Sequence, residues 1–396
     1  MTAFGAPLRV LSLATFYPND DTPNFGVFIE RQMQAAARTG EVDLTVVNPV
    51  GLPPFPLSLH PRYRRLAALP ACEERGGVTV LRPRFRLIPG IGGPLNARAV
   101  ARAVLPLARG LHAKAPFDLV DAQFFYPDGP AAVTIARALG LPSSIKARGA
   151  DIHHWGKAPG TAGQVRAAGR AATGLLAVAG GLADDMAALG IPRGKIAIHR
   201  TGLDRTIFCP RDKAGARAAL GLPEAVPVLA TVGALIARKG QAHAIAALAG
   251  LPGAILLLAG AGPDAAALRQ QADRLGVADR VRFLGAVPHG DLPQILSAAD
   301  VFVLPSASEG LANAWVEALA CGVPVVTTPI AGAMELITEP AFGRLASREG
   351  LAIAAAVREI LAAPPARADV LRAAEGFCWE ANAAALIAHW RRLAGR

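Results

Sequence analysis

Residues 297–329, SAADVFVLPSASEGLANAWVEALACGVPVVTTP, constrain the fold more tightly than any other stretch of the chain. Val301, Phe302, Val303 and Leu304 form a short apolar run, and Pro305 cannot donate to a sheet ladder, so a strand ends at Leu304. Ser306 to Gly310 supply loop chemistry. A helical period returns over 312–321, with Ala314, Leu319 and Ala320 available for packing, until Gly322 and Pro324 stop it. Residues 323–326 read as the next buried strand. This unit puts Glu309 on a loop at the carboxyl edge of a parallel sheet, where open α/β sheets bind their ligands, and Glu317 about two turns into the helix. The backbone N–H groups of Gly310, Leu311, Ala312 and Asn313 lie at the helix N-terminus, which favours an anion. An anion cradle flanked by two carboxylates suits a phosphate attached to hydroxyl-rich groups, although two glutamates on an isolated surface helix would more often be merely solvated.

A chain of 396 residues is long for one core and suits two domains. Its hydrophobic content of 52%, with 41 glycines and 32 prolines, indicates an α/β protein with many tight turns. The sequence has no run of eighteen uncharged apolar residues, and residues 1–17 lack the basic, apolar, small-residue order of a signal peptide. Residues 8–16 are better read as a first core strand. The four cysteines, Cys72, Cys209, Cys321 and Cys378, show no Cys-x2-Cys spacing, so neither zinc nor a disulfide framework is indicated. A reduced, cytoplasmic protein is the expectation.

The net charge of +11 is unevenly placed, since residues 61–115 hold eleven cations against Glu73 and Glu74. Interleaved with Leu59, Tyr63, Leu66, Phe85, Leu87 and Ile88, this basic segment suits an anionic leaflet, worth about 1 kcal/mol per cation near the surface. An acidic acceptor is the other candidate partner, and arginines on solvated helices would give the same pattern. No nucleic-acid-binding signature accompanies the charge, so no nucleic-acid partner is expected.

In chain order, a strand over 9–14 leads into a loop over 15–24, and Gly26 starts a helix through Arg38. A glycine at that place is what close approach of a ligand to the backbone requires. No Gly-x-Gly-x-x-Gly occurs there, so a dinucleotide-binding reading fails. After a strand over 43–48, the proline-rich residues 52–65 read as a mobile flap or a membrane-facing excursion. Strands follow over 78–83 and 117–122, separated by a basic amphipathic helix over 96–113. The strand over 143–147 runs into Arg148-Gly149-Ala150-Asp151, and strands over 174–179 and 195–198 flank a helix over 181–189. Later strands over 228–232, 254–259 and 281–284 end in Gly233 to Gly240, in Gly260-Ala261-Gly262-Pro263 and in Gly285-Ala286-Val287. The tail places Trp379, Ala383, Leu386, Ile387 and Trp390 on one helix.

The Glu-x7-Glu spacing, the Glu309-Gly310 pair before the helix and the following ALACGVPVV resemble the donor-sugar signature of retaining glycosyltransferases of family four, in particular those of the bacterial cell-surface polysaccharide and teichuronic-acid type. The resemblance implies the α/β GT-B architecture, with two Rossmann-like domains, a cleft between them and a C-terminal helix crossing back to the first. Residues 1–198 with 377–396 would be the acceptor-side domain, residues 199–376 the nucleotide-sugar domain, and the run around Thr201-Gly202-Leu203-Asp204 the hinge. It also implies that Glu309 faces the donor sugar, that Glu317 holds the ribose hydroxyls, and that the amides of Gly310, Leu311, Ala312 and Asn313 hold sugar and diphosphate. The loop at Gly26 would face acceptor and diphosphate, Gly233 and Lys239 the diphosphate, Gly262 the nucleotide, and the main chain at Val287 the base.

Two residues depart from the family's pattern. Ala234 stands where a first cation is usual, leaving Arg238 as the nearest substitute. Arg148 stands where a histidine often contacts the sugar; arginine binds a hydroxyl or phosphate but does not titrate near neutral pH. His153 and His154 lie nearby, each more readily read as surface or structural than catalytic. The implied activity is retaining, metal-independent transfer of a hexosyl-type sugar from a UDP- or GDP-sugar to a hydroxyl of a lipid-linked or polysaccharide acceptor in cell-envelope glycan synthesis, at the inner face of the membrane. No cofactor beyond the sugar nucleotide and no metal are implied. A sugar-nucleotide epimerase of the same fold, and a non-catalytic sugar-nucleotide-binding scaffold of a glycan assembly complex, remain the alternatives.

Overall fold

A computed structural model describes residues 6–23 and 25–396; residues 1–5, and Asn24 at the end of the loop read over 15–24, lie outside the described residues. The chain forms two compact units, Met1–Gly202 with Trp379–Arg396, and Leu203–Cys378. The sequence reading put these divisions at 198 and 376.

The first unit is built on an eight-stranded sheet. Its order is Ile196–Ile198, Gly174–Ala177, Ser143–Ala147, Leu119–Ala122, Leu8–Leu13, Val42–Val47, Val78–Leu81 and Cys72–Arg75. Only the last of these runs antiparallel to its neighbour. The middle strands are buried along their whole length, as strands covered on both faces must be. Chain order reverses between Leu8–Leu13 and Leu119–Ala122, which makes their carboxyl ends a switch point of a doubly wound sheet. One face is covered jointly by Ile29, Met33 and Ala36 of helix Val27–Arg38 and by Trp379, Ala383, Leu386, Ile387 and Trp390 of helix Trp379–Ala394. That last set falls at i, i+4, i+7, i+8 and i+11, one apolar stripe of an amphipathic helix.

Residues 52–65, read as a flap or excursion, carry regular structure. A 3-10 turn spans Leu57–Leu59 and a helix spans Pro61–Ala68, with Pro61 in the first helical turn, where its missing N–H costs nothing. Beside it, Val50–Leu52 pairs in parallel with Arg84–Arg86. The basic segment is also less uniformly superficial than its charge count suggests. Arg82 is buried and ion-paired to Glu73, and Arg75 bonds Glu30.

The second unit is a six-stranded, all-parallel sheet in the order Val281–Gly285, Ile255–Ala259, Val228–Val232, Val301–Val303, Val325–Thr327 and Gly343–Leu345. Numbered within the unit this is 3-2-1-4-5-6, with the reversal between Val228–Val232 and Val301–Val303. The loops after these two strands are therefore neighbours, and they carry Gly233, Arg238, Lys239 and residues 309–312 among the candidate residues. The helix following the second of them is Asn313–Ala320, with Ala312 extended at its N-cap. Glu317 consequently sits just over one turn into the helix, a correction to the two turns read from sequence. Residue 312 closes the loop and does not open the helix, which moves the start by one residue, and even from 312 the glutamate is under about one and a half turns in.

Candidate donor site

In the second unit the loop after Val228–Val232 and the loop after Val301–Val303 are fastened backbone to backbone. Ala307 donates its N–H to the Arg238 carbonyl at 2.7 Å. Arg348 braces the same pair, donating from Nε to the Pro305 carbonyl at 3.0 Å and from Nη2 to the carbonyls of Ala237 and Arg238. This rigid seam brings three expected residues together. Glu309 Oε1 lies 2.7 Å from Lys239 Nζ and 2.9 Å from Arg238 Nη1, with the Glu309 side chain only 11% exposed. Arg238 also donates to the Ser308 carbonyl. Gly233 lies beside the Lys239 stem, with a Cβ at that position 3.8 Å from Lys239 Cε. Arg238 thus stands where the sequence, with Ala234 in the usual place, left a second cation to be found.

Gly262 is required for a different reason than a ligand. A Cβ there would fall 2.2 Å from the Leu235 carbonyl oxygen, so the turn after Ile255–Ala259 packs its bare backbone on the loop after the first strand. Leu311 and Asn313 are half-buried and Gly310 and Ala312 buried, and no side chain caps the helix that follows. Its first amides are therefore left to a partner of another kind, and the helix dipole favours a negative one.

Glu317 is 9% exposed, and His289 Nε2 lies 2.8 Å from its Oε1. His289 opens the turn two residues after Val287 and stacks edge-on against Phe208 at 4.8 Å between ring centroids. Sequence reasoning missed both His289, whose partner lies on the helix Asn313–Ala320, and Arg348, whose partners lie on other strands' loops. One turn beyond Glu317, burial, reinforced by the Glu317 charge, pushes the Cys321 thiol up to about 12. Among the described residues no group of three or more His, Cys, Asp or Glu side chains stands close enough to hold a metal ion.

The other two residues singled out from sequence, Gly26 and Arg148, belong to the first unit. Gly26 has φ 83°, and a Cβ there would meet the Phe16 carbonyl group at 2.7 Å, so only glycine lets helix Val27–Arg38 begin against that loop. Arg148 donates from Nε to the Gln123 carbonyl at 2.7 Å and from Nη2 to Gln123 Oε1 at 2.6 Å, with the Phe28 ring 4.8 Å away. Burial, partly offset by Asp151, lowers its pKa to about 10. Behind it runs a polar network that the sequence did not reveal. Lys146, fully buried, donates to Gln32 Oε1 at 2.8 Å and to His199 Nδ1 at 2.6 Å. His199 Nε2 in turn donates to the Asn382 carbonyl at 2.9 Å, so the tautomer is set by the bond at each nitrogen. His153 lies 2.8 Å from Asp185.

Comparison with known proteins gives the family and the fold. Residues 212–377 match the family described as glycosyl transferases group 1. Over 339 residues the chain is 32% identical to TuaC of Bacillus subtilis (strain 168), named for a teichuronic acid biosynthesis glycosyltransferase, with 83% of each chain covered. It is 36% identical over 219 residues to the D-inositol 3-phosphate glycosyltransferase of Mycobacterium bovis (strain BCG / Pasteur 1173P2), covering 52% of this chain and 45% of that one. Among solved structures, sucrose-phosphate synthase from Thermosynechococcus elongatus superposes with a TM-score of 0.79 at 20% identity, covering 98% of this chain and 99% of that one. Anabaena Alr3699/HepE in complex with UDP and glucose superposes with a TM-score of 0.74 at 20% identity, covering 96% and 98%. The chain belongs to the group 1, family-four-type glycosyltransferases, and its two Rossmann-like halves are those of the GT-B fold.

Proposed function

We propose that the chain transfers a sugar, with retention of anomeric configuration, from a UDP- or GDP-sugar to a hydroxyl of a lipid-linked or polysaccharide acceptor in cell-envelope glycan synthesis. The observation that carries this reading is the cluster of Glu309, Lys239 and Arg238 beside an uncapped helix N-terminus at the switch point of the second sheet. A departing nucleoside diphosphate gathers negative charge, and two cations with a row of helix amides stabilise that charge without a metal ion. Glu309 then orients the sugar and favours the developing oxocarbenium charge, Glu317 holds the ribose, and the main chain at Val287 contacts the base. Arg148 acts on a hydroxyl or phosphate. With no general base assigned, the leaving phosphate accepts the acceptor's proton on the front face. The Bacillus relative, named for teichuronic acid biosynthesis, supports an envelope acceptor.

The basic segment supplies a membrane-facing surface in the same reading. Arg62, Arg64, Arg65, Arg86, Arg98 and Arg102 are exposed, together with Phe55 at 77% and Ile91 at 83%. No described helix is long and apolar enough to cross a membrane, so contact with the inner face would be peripheral.

The test is a thermal-shift panel of UDP, GDP, ADP and their common sugar conjugates, with and without Mg²⁺, followed by transfer assays with the stabilising donor. A ligand far above its dissociation constant raises stability by a few kcal/mol. One nucleotide should stabilise the wild type, and Glu317→Ala and Lys239→Ala should abolish the shift. A panel in which nothing stabilises the protein overturns the donor reading. Loss of less than about tenfold in turnover for Glu309→Gln overturns the role given to that residue.

A further inference from the structure

We infer that His289 is a positioning residue for ribose recognition: it holds the Glu317 carboxylate by one oxygen so that the other is presented to the ribose hydroxyls. The inference rests on the donor reading of Glu317 and assigns to that site a residue which the family signature in this sequence does not include.

The geometry leaves little freedom. Glu317 is nearly buried, and a buried carboxylate without a donor is costly, so the single short contact from His289 Nε2 to Oε1 fixes which oxygen is occupied. Nε2 must carry the proton in that bond. Nδ1 is buried with no partner, so the ring's one working polar atom is the one aimed at Glu317. The ring is itself held: Phe208, 1% exposed and part of the unit's core, stacks against it edge-on, and Pro288 precedes it at the start of the turn. His289 also links two elements with separate expected tasks. It lies two residues after Val287, on the loop read as contacting the base, and it grips the helix that carries the ribose carboxylate. The distance between base contact and ribose contact is thereby set by one histidine. A carboxylate free to rotate would lose rotational entropy on binding the sugar; one already clamped would not.

The experiment measures discrimination between ribose and deoxyribose. UDP, GDP and ADP are titrated by calorimetry, and the tightest is compared with its 2′-deoxy and 3′-deoxy forms against wild type, His289→Phe, His289→Gln and Glu317→Ala. Wild type should prefer a ribose form by about tenfold or more, the scale of one hydrogen bond to a charged group. Phenylalanine keeps the stack on Phe208 and removes the donor, and should cut that preference to below about threefold. Glutamine, whose amide N–H reaches where Nε2 stood, should restore most of it. A folded His289→Phe protein with wild-type preference overturns the inference, as does failure of glutamine to rescue. If His289→Phe does not fold, His289→Asn, too short to reach, is read in its place; loss of the fold in both overturns the inference in favour of a purely structural clamp. Glu317→Ala separates the two levels. If it keeps the full ribose preference, the donor reading of Glu317 fails, whereas if it abolishes the preference and His289→Phe does not, only the inference fails.

Discussion

Replacing Glu309 by glutamine should make nucleoside diphosphate bind more tightly while turnover collapses. In the structure the two cations assigned to the diphosphate are ion-paired with Glu309 Oε1, at 2.7 Å from Lys239 and 2.9 Å from Arg238. A diphosphate that takes those cations competes with the carboxylate for them. Exposed pairs of this kind are worth about 0.2 to 1 kcal/mol each; the 11% exposure of Glu309 argues for the upper end with Lys239, and the 37% exposure of Arg238 for less. The competition removed by Glu309→Gln is thus about 1 to 2 kcal/mol, or roughly five- to thirtyfold in Kd. The clean probe is the diphosphate without its sugar, because Glu309 is also assigned to the sugar. Calorimetric titration of whichever of UDP, GDP or ADP stabilises the wild type should show this tightening in Glu309→Gln, and more strongly at low salt. Steady-state turnover with the sugar nucleotide should fall more than tenfold. Unchanged or weaker diphosphate binding by a folded Glu309→Gln protein would refute the competition, because the cations would then serve the ligand without leaving the carboxylate.

Burial pushes the Asp128 carboxyl up to about 7, above the ordinary unfolded value near 3.9, so the native state holds an extra proton between about pH 4 and 7 and loses stability as pH rises through that window. Asp128→Asn should accordingly match wild type near pH 4 and exceed it by about 2 to 4 kcal/mol at pH 8, measured by urea unfolding across pH; equal stability at pH 8 would refute it. Gly262→Ala should destabilise the second unit by about 1 to 3 kcal/mol and weaken nucleotide binding, since its Cβ would meet the Leu235 carbonyl at 2.2 Å and push the Gly233 loop aside; a normal Tm and Kd would show that the loops yield. Trp390→Phe removes the indole N–H that donates at 3.0 Å to fully buried Asp121, and should cost about 1 to 3 kcal/mol in chemical unfolding; a loss under 0.5 kcal/mol would mean that Ser12 and Gln123 satisfy the carboxylate alone.

What the sequence discloses about this site follows from how the second unit is wound. Strands buried on both faces read as continuous apolar runs, and the residues that stop them, Pro305 and Gly233 among them, mark the carboxyl ends where ligands sit. Glu309, the helix amides and Glu317 were legible because one strand-loop-helix unit carries all of them. The helix start was misjudged by one residue because Ala312, a good helix former, is used as an extended cap. That is about a third of a turn, and the rest of the overestimate of Glu317's depth is that five residues are under about one and a half turns. His289 and Arg348 were not legible at all. His289 meets a partner 28 residues on, and Arg348 meets backbone carbonyls 43 and more residues back. No local pattern marks such pairings, which arise only when the fold brings the segment after one strand against a loop or helix after another.

The same division holds in the first unit, where Lys146 looks like the polar alternate of a half-exposed strand. It is instead enclosed by Gln32 from a helix and by His199, just past the edge strand Ile196–Ile198. The groups that could touch substrate are thus encoded locally, while the groups that hold them in place are encoded by topology. In each unit the candidate groups can therefore be read from short motifs, but their positioning, by His289 on Glu317 in the second and by Gln123 on Arg148 in the first, changes through residues that the motifs do not contain.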